Sequence, residues 1–172
     1  MKRFFLILLL SFTISYAKLQ ITTFQSDFIQ TVTNDQNKTL RYKGELFFKA
    51  PNLAKWIYIS PMPKEIYIKG DQVTIIDKAL EQVMIKRLDP NFDFQKLLQL
   101  AKKISKEHYR AKYNRKLFNI FFKNDKLWRI SYLDDLGNKV EIRFLHPKQN
   151  LSIKRAVFDF KINPSWDIIY DQ

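Results

Sequence analysis

Hydrophobic and polar residues alternate with a period of two over most of the chain after residue 38. The first alternating region spans Thr39 to Leu88 and is interrupted by turn signals. These signals are Pro51-Asn52, Pro61-Met62-Pro63, Gly70-Asp71 and the residues near Asp77. Successive side chains of a strand point to opposite faces, so the pattern predicts an antiparallel meander. The alternation returns in LFNIFFK, LWRISYLD, KVEIRFLH and AVFDFKIN, which predict a second meander.

Two segments follow a helical period instead. In residues 90–108 the apolar residues fall on one side at about 3.6 residues per turn, which predicts an amphipathic helix. These residues are Phe94, Leu97, Leu98, Ala101 and Ile104. In LQITTFQSDFIQTV, four residues lie near helical spacing before a β-branched end: Leu19, Thr23, Phe24 and Phe28. This segment predicts a short amphipathic helix that leads into a first strand.

The hairpin KGELFFKAPNLAKWIYISP, residues 43–61, carries a large apolar face. Leu46 and Phe48 share one side of its first strand, and Trp56 and Tyr58 share one side of its second. Such a face suits either a filled core or the wall of a cavity that holds an apolar ligand. Composition alone favours the filled core, since periodicity does not distinguish a filled sheet from a hollow one.

The first 17 residues, MKRFFLILLLSFTISYA, have the composition of a secretory signal peptide. Two basic residues precede an apolar run, and small residues precede a cleavage site after Ala17. The apolar run is too short for a membrane helix, which needs about 20 apolar residues. We therefore expect an exported chain in which residues 18–172 form a single domain.

The chain is strongly basic, with 30 Lys and Arg against 17 Asp and Glu and a formal net charge of +13. Nucleic acid is a common partner of such a charge, but export separates the protein from DNA and RNA, so we expect no nucleic-acid partner. Anionic lipid headgroups fit an exported protein better. Solubility alone explains the charge equally well.

Few residues suggest catalysis or metal binding. The chain has no cysteine and only three glycines, which excludes disulfides, thiolate sites and a glycine-rich phosphate loop. His108 and His146 do not have the spacing of a metal-binding pair. Asp134 and Asp135 are adjacent carboxylates in a hairpin turn. We therefore predict no catalytic residue, no metal and no cofactor.

Five segments in order resemble a known family. They are FQSDFIQTV (24–32), GELFFKAPNLAKWIYISP (44–61), IYIKGDQVTIID (66–77), LEQVMIKRL (80–88) and FDFKINPSWDIIYDQ (158–172). Together they resemble the periplasmic outer-membrane lipoprotein carrier family, LolA. The most specific part is F-x-x-x-F-x-Q followed by G-x-L-x-x-K-x-P-x-x-x-x-W. Because the order and spacing agree, the resemblance covers almost the whole predicted domain.

The resemblance implies a mainly β fold with helices (α+β): a strongly curved, incomplete antiparallel β-barrel covered by a helical lid that encloses an apolar cavity. It implies a soluble periplasmic carrier, not an enzyme, which moves acylated lipoproteins from the inner to the outer membrane. The implied partners are an ATP-driven inner-membrane lipoprotein-releasing complex and either an outer-membrane receptor or the outer membrane itself. A related receptor is lipid-anchored, and the absence of cysteine argues against that identity. A monomer is expected.

By the resemblance and the strand alternation, one set of residues is expected to line the lipid-binding cavity. The set is Leu46, Phe48, Trp56, Tyr58, Ile66, Ile68, Trp128, Ile130, Ile142, Phe144, Phe158 and Phe160. The apolar residues of the predicted helix 90–108 are expected to form the lid. The alternative reading is a basic envelope-binding module for anionic lipid or glycan, without an enclosed cavity.

The sequence departs from the family pattern at two places. Ala50 stands before the Pro of K-x-P, where many members carry an Arg thought to hold the lid shut. Ala54 stands where members often place an aromatic residue implicated in docking to the inner-membrane complex. The resemblance therefore does not identify the lid latch or the docking residue of this chain.

Overall fold

The computed structural model describes residues 20–87 and 94–171. The predicted signal peptide lies outside the described residues. The elements are β1 (Thr23–Thr33), β2 (Thr39–Lys49), β3 (Leu53–Ser60), β4 (Lys64–Lys69), β5 (Gln72–Asp77), β6 (Gln82–Arg87), α1 (Phe94–Gln99), β7 (Lys102–Lys103), β8 (His108–Tyr113), β9 (Lys116–Lys123), β10 (Lys126–Leu133), β11 (Lys139–Gln149), a 3-10 turn (Arg155–Phe158) and β12 (Asp167–Asp171). The chain is thus mainly β, as predicted.

All the described strands form one sheet with two open edges. The strand order is β12-β6-β5-β4-β3-β2-β1-β11-β10-β9-β8-β7. Neighbouring strands are antiparallel except for β6 and β12, which are parallel. The first strand lies inside the sheet, paired on one side with β2 and on the other with β11. It therefore joins the two predicted meanders into a single structure.

One face of the sheet, here called the inner face, carries the main core. Its buried side chains come from strands as far apart in the sheet as β3 and β8, and from α1. Among them are Phe24, Phe28, Leu46, Phe48, Ala54, Leu98, Ala111, Ile120, Ile130, Ile142 and Phe144. The cluster thus extends across seven neighbouring strands, from β3 to β8. The sheet is unclosed, since β12 and β7 stand at its two ends.

The segment around Phe24 and Phe28 is strand, and the prediction of a helix there was wrong. Both residues belong to β1, which runs from Thr23 to Thr33. A spacing of four residues fits a helix face, but it also returns a strand side chain to the same face. Phe24 and Phe28 are accordingly both buried on the inner face.

The predicted helix 90–108 is much shorter in the structure. Its described part, α1, ends at Gln99, and Lys102–Lys103 form a short strand. The amides of Ile104 and Ser105 donate to the carbonyl of His108, at 2.8 and 3.0 Å. These bonds turn the chain back into β8, so the helical period of Ala101 and Ile104 does not continue as a helix.

The segment after β11 crosses the opposite, outer face of the sheet. The prediction of a strand in AVFDFKIN was wrong: it contains a 3-10 turn that ends at Phe158, followed by residues that belong to no helix or strand. Lys69 Nζ binds Asp159 Oδ1 at 2.8 Å and ties this segment to β4. A second apolar cluster forms there from Tyr67, Ile76, Val83, Ile85, Phe160, Ile162 and Trp166. The C-terminal segment thus covers part of the outer face.

Candidate functional site

Most of the predicted cavity residues lie together on the inner face. Leu46, Phe48, Ile130, Ile142 and Phe144 are buried in its cluster. Trp56, Tyr58 and Ile68 pack against that cluster and are half-buried, and Ile66 is half-buried beside Trp56. The shared face that alternation predicted for β2 and β3 is present. Their role in binding lipid stays a prediction.

Three of the predicted cavity residues lie elsewhere. A register shift between Leu127 and Arg129 places Leu127, not Trp128, in the core beside Ile130. Phe160 lies on the outer face, with its ring 4.6 Å from that of Tyr67. Phe158 is fully buried at the end of the 3-10 turn and is not part of the inner-face cluster. The predicted inward orientation of these three residues was wrong, because the sequence pattern shows neither the bulge in β10 nor the irregular C-terminal segment.

The inner face continues beyond the buried cluster as an apolar row across the strands, here called the cross-strand row. Directly paired residues form it: Leu46, Trp56, Ile66, Ile75, Met84 and Ile169. Five strand spacings make it about 24 Å long. Leu46 is 5 % exposed and Ile169 is 39 % exposed, with half-buried residues between them. The row therefore runs from the buried core to the open edge strand β12, and its two ends differ in solvent exposure.

Sequence reasoning missed Ile75, Met84 and Ile169 of this row. Ile75 is followed by Ile76, and alternation does not tell which of two adjacent isoleucines faces inward. The pairing of Ile75 with Ile66 places it on the inner face, while Ile76 joins the outer cluster. The strand register thus supplies the information that the local pattern lacks.

A group of aromatic rings connects the row to the core. The Phe28 ring lies 5.1 Å from Trp56 and 5.3 Å from Tyr58, edge to face in both cases. Such edge-to-face contacts stabilise aromatic pairs beyond simple burial. Gly44 lies beneath this group, since a Cβ built there would be 2.7 Å from Phe28 Cζ and 2.0 Å from the carbonyl oxygen of Ile57. The absence of a side chain at Gly44 allows the rings to pack on β2.

Tyr58 carries the polar group of this aromatic cluster. Its hydroxyl donates to Gln30 Oε1 at 2.9 Å. Burial raises the pKa of Tyr58 to about 12, and the neighbouring Tyr132 and Tyr42 add to the rise. The phenol is therefore neutral at physiological pH, and the inner face keeps its apolar character there.

The raised pKa of Tyr58 predicts a loss of stability in alkali. The folded state disfavours the phenolate, so Tyr58 contributes stability that is complete below pH 10 and is lost as the pH rises toward 12. We expect a contribution on the order of 2 kcal/mol to disappear by pH 12. Urea unfolding of the wild type and of Tyr58→Phe from pH 8 to pH 12 measures it.

The variant Tyr58→Phe is the control for this prediction because it keeps Tyr67 and Tyr132, whose pKa values burial also raises. The wild type should lose more stability than the variant over the same pH range. Parallel pH profiles for the two proteins would contradict a titrating Tyr58.

Helix α1 packs on one part of the inner face. The Phe94 ring lies 5.1 Å from that of Phe48, and Leu97 and Leu98 are buried. Ala101 packs against the same cluster from beyond the helix, whereas Ile104 is 52 % exposed. Four of the five predicted lid residues thus contact the inner-face core. A lid over an enclosed cavity stays a prediction.

Surface depressions also occur away from the cross-strand row. Two depressions of about 330 and 150 Å³ lie around Leu145 and His146. The predicted cavity residues Trp128 and Phe144 line the first, whereas Trp56, Tyr58 and Ile66 line neither. Within residues 20–87 and 94–171, no group of three His, Asp or Glu side chains could hold a metal ion. No helix in these ranges is long and apolar enough to cross a membrane. The inner face is the candidate site because nine of the twelve predicted cavity residues lie on it.

Comparisons with known proteins agree on one family. The model of the outer membrane lipoprotein carrier protein LolA matches residues 19–111. An outer-membrane lipoprotein carrier protein of Campylobacter jejuni is 35 % identical over 170 residues, covering 98 % of this chain and 99 % of the relative. One of Wolinella succinogenes is 32 % identical over 150 residues, covering 87 % of each chain.

A crystal structure of an uncharacterized conserved protein from Thermus thermophilus shares the fold. Its TM-score is 0.55 at 11 % identity, with 90 % of this chain and 93 % of that chain covered. The family model matches the part of the chain that holds β1 to β7, and the Campylobacter relative covers nearly the whole chain. The chain belongs to the outer-membrane lipoprotein carrier protein family.

Proposed function

We propose that this protein is a periplasmic carrier that binds the acyl chains of lipoproteins on its inner face and moves them from the inner to the outer membrane. The observation that carries the proposal is the cross-strand row, which extends the buried core as a half-exposed apolar track. The names of the relatives support lipoproteins as the cargo.

The dimensions of the row suit an extended acyl chain. Its length of about 24 Å follows from five strand spacings. Burial of an acyl chain is worth about 0.8 kcal/mol per methylene group, so a chain seated along several of these residues would bind well. Trp56 and Met84 in the row offer large, adaptable apolar surfaces to such a ligand. A soluble protein could thus hold a lipid anchor away from water.

Helix α1 is the element best placed to act as a lid. It has only six residues, and its attachment to the inner face depends on Phe94, Leu97 and Leu98. A short helix held by few side chains opens at lower free energy than the sheet beneath it. Displacement of α1 would expose Phe48 and extend the apolar track into the core. The acyl chain would take the place of the helix side chains.

The route across the periplasm needs a donor and an acceptor. We assign an ATP-driven inner-membrane lipoprotein-releasing complex as the donor, and an outer-membrane receptor or the outer membrane itself as the acceptor. The protein would act as a monomer, and its binding cycle requires no catalytic residue. Membership in the family supports this assignment of partners.

Binding of an acylated peptide tests the proposal directly. We expect the folded protein to bind a peptide with a diacylated N-terminal cysteine, since its acyl chains would occupy the cross-strand row. Amide hydrogen exchange should show slower exchange in strands 54–58 and 66–68 when the peptide is bound. In the free protein, residues 94–99 should exchange faster than strands 44–60 and should change on binding.

The same peptide without acyl chains is the control for this experiment. It should neither bind nor change the exchange pattern, because the proposed site recognises the lipid. Equal exchange of α1 and the sheet, unaltered by the acylated peptide, would show that α1 is a fixed part of the core. Absence of acyl-dependent binding would refute the carrier function.

A further inference from the structure

Five hairpin connections lie together at the side of the sheet where β1, β3, β5, β8 and β10 end. They join β1 to β2, β3 to β4, β5 to β6, β8 to β9 and β10 to β11. In an antiparallel sheet, every second connection lies at the same end of the strands. Because the five strand pairs follow one another in the sheet, their connections are neighbours in space. The pairing of Thr33 with both Thr39 and Lys139 places two of them side by side. We call these five connections, together with the strand ends beside them, the hairpin rim.

Exposed apolar residues are concentrated on the hairpin rim. Seven large apolar side chains there are between 49 and 86 % exposed: Leu40, Ile59, Met62, Leu80, Leu117, Leu133 and Leu136. Leu136, at the tip of the β10–β11 hairpin, is the most exposed of them at 86 %. Each of the five hairpins carries at least one. Single exposed apolar residues are normal on a protein surface, but a group of them on neighbouring hairpins indicates an interaction site.

The charges of the hairpin rim are mixed, with more cations than anions. The cations are Lys38, Lys64, Lys78, Lys112, Arg115, Lys116 and Lys139, and the carboxylates are Asp35, Asp77, Glu81, Asp134 and Asp135. Three carboxylates are engaged locally. Asp77 and Asp134 accept backbone N–H groups of their own turns, and Asp135 binds Lys116 Nζ at 2.8 Å. Lys78 Nζ also binds Glu65 Oε1 at 2.6 Å, so the rim offers a partner a small excess of positive charge beside its apolar side chains.

We infer that the hairpin rim docks on a membrane that contains anionic lipids, with its exposed leucines in the boundary between headgroups and acyl chains. Apolar residues flanked by lysines suit this layer, because leucines enter the apolar region while ammonium groups reach the phosphates. The formal net charge of +13, or +11 once Lys2 and Arg3 are removed with the signal peptide, adds attraction to an anionic bilayer. A glycan polymer would not account for the leucines.

Docking by the rim would bring the cross-strand row close to the bilayer. Ile66 lies two residues inside β4 from Lys64, a distance of about 7 Å along the strand. If the proposed carrier function holds, an acyl chain on the row would have a short path to the membrane. The rim thus gives the carrier a means of delivery that is separate from the site that holds the cargo.

Vesicle flotation tests the inference. The full mature protein is mixed with vesicles of phosphatidylglycerol and phosphatidylcholine, or of phosphatidylcholine alone. We expect binding to the anionic vesicles, weaker binding at high salt, and a loss on the order of tenfold or more for the double variant Leu80→Ser/Leu136→Ser. All the substituted side chains are exposed, so the fold should be unaffected.

The matched control is the double variant Leu100→Ser/Leu151→Ser, which changes two exposed leucines outside the rim and should bind as the wild type does. An equal loss for both double variants, or none for either, would overturn the inference. Self-association that the rim variant abolishes, without vesicle binding, would assign the rim to a second copy and also overturn it. Capture of the acylated peptide by the rim variant should be unchanged, which separates this result from the carrier function.

A tryptophan at the rim gives a second measurement. Leu136→Trp should be quenched by vesicles that contain lipids brominated near the headgroup, beyond any quenching of the wild type. The side chain is exposed, so the larger indole has room. Equal quenching of the two proteins would show that the hairpin tip does not enter the bilayer.

Discussion

Replacement of Gly44 by alanine is expected to destabilise the protein by about 3 kcal/mol or more. The new Cβ would lie 2.0 Å from the carbonyl oxygen of Ile57, which is backbone of the neighbouring strand, and 2.7 Å from Phe28 Cζ. A flexible side chain can move away from such a contact, but the backbone of β3 cannot move without disturbing its pairing. Urea unfolding of the wild type and the variant measures the change.

Gly70→Ala is the matched control for this prediction. Gly70 has a φ of +64° and open space around its Cα, so alanine there causes only conformational strain of about 1 kcal/mol. Combination of Gly44→Ala with Phe28→Leu should not restore stability, because the clash with the Ile57 oxygen remains. A loss at Gly44 no larger than the loss at Gly70 would contradict the predicted close packing of β2, β3 and the Phe28 ring.

Replacement of Ile66 by glutamate is expected to weaken binding of the acylated peptide at least about 100-fold while leaving the fold intact. Without cargo, the carboxylate at this half-exposed position remains hydrated. An acyl chain on the cross-strand row would strip that water away, at a cost of several kcal/mol for a charged group. Calorimetric titration with the peptide gives the affinity, and urea unfolding gives the stability.

Ile29→Glu provides the comparison for this variant. Ile29 is also a half-buried isoleucine of the sheet, but it lies on the outer face between Lys43 and Arg143, which can pair with a carboxylate. This variant should bind the peptide as the wild type does. An equal loss of binding in both variants would mean a general disturbance, and unchanged binding by Ile66→Glu would remove the row from the cargo site.

Alternation predicted the strands and faces well where the chain forms regular hairpins. In β2 and β3 the apolar residues occupy every second position, and Leu46, Phe48, Trp56 and Tyr58 do share the inner face. The order of the sequence motifs also identified the family, which the comparisons confirm. Local pattern is sufficient here because one face of each strand is buried and the register follows from the tight turns.

The errors occur where local pattern does not determine the long-range packing. Leu127 and Trp128 are adjacent apolar residues, and only the bulge decides which of them enters the core. Phe158 and Phe160 alternate as strand residues do, but their segment packs across the outer face without a neighbouring strand. Alternating apolar residues indicate that one side of a segment is buried. A segment that packs on a sheet without pairing with a strand also buries one side, so it shows the same pattern.

The place of β1 in the sheet has a consequence for how the chain folds. The strand pairs Phe24 with Gln149 and Thr33 with Lys139, so one of its two ladders closes a loop of more than 100 residues. Loop closure of this length slows folding, because chain entropy is lost before the contacts form. If β1 to β6 pair before β11 joins, β1 still has a free edge. Such an edge readily pairs with another chain, so a folding chain is most prone to aggregation until β11 is in place.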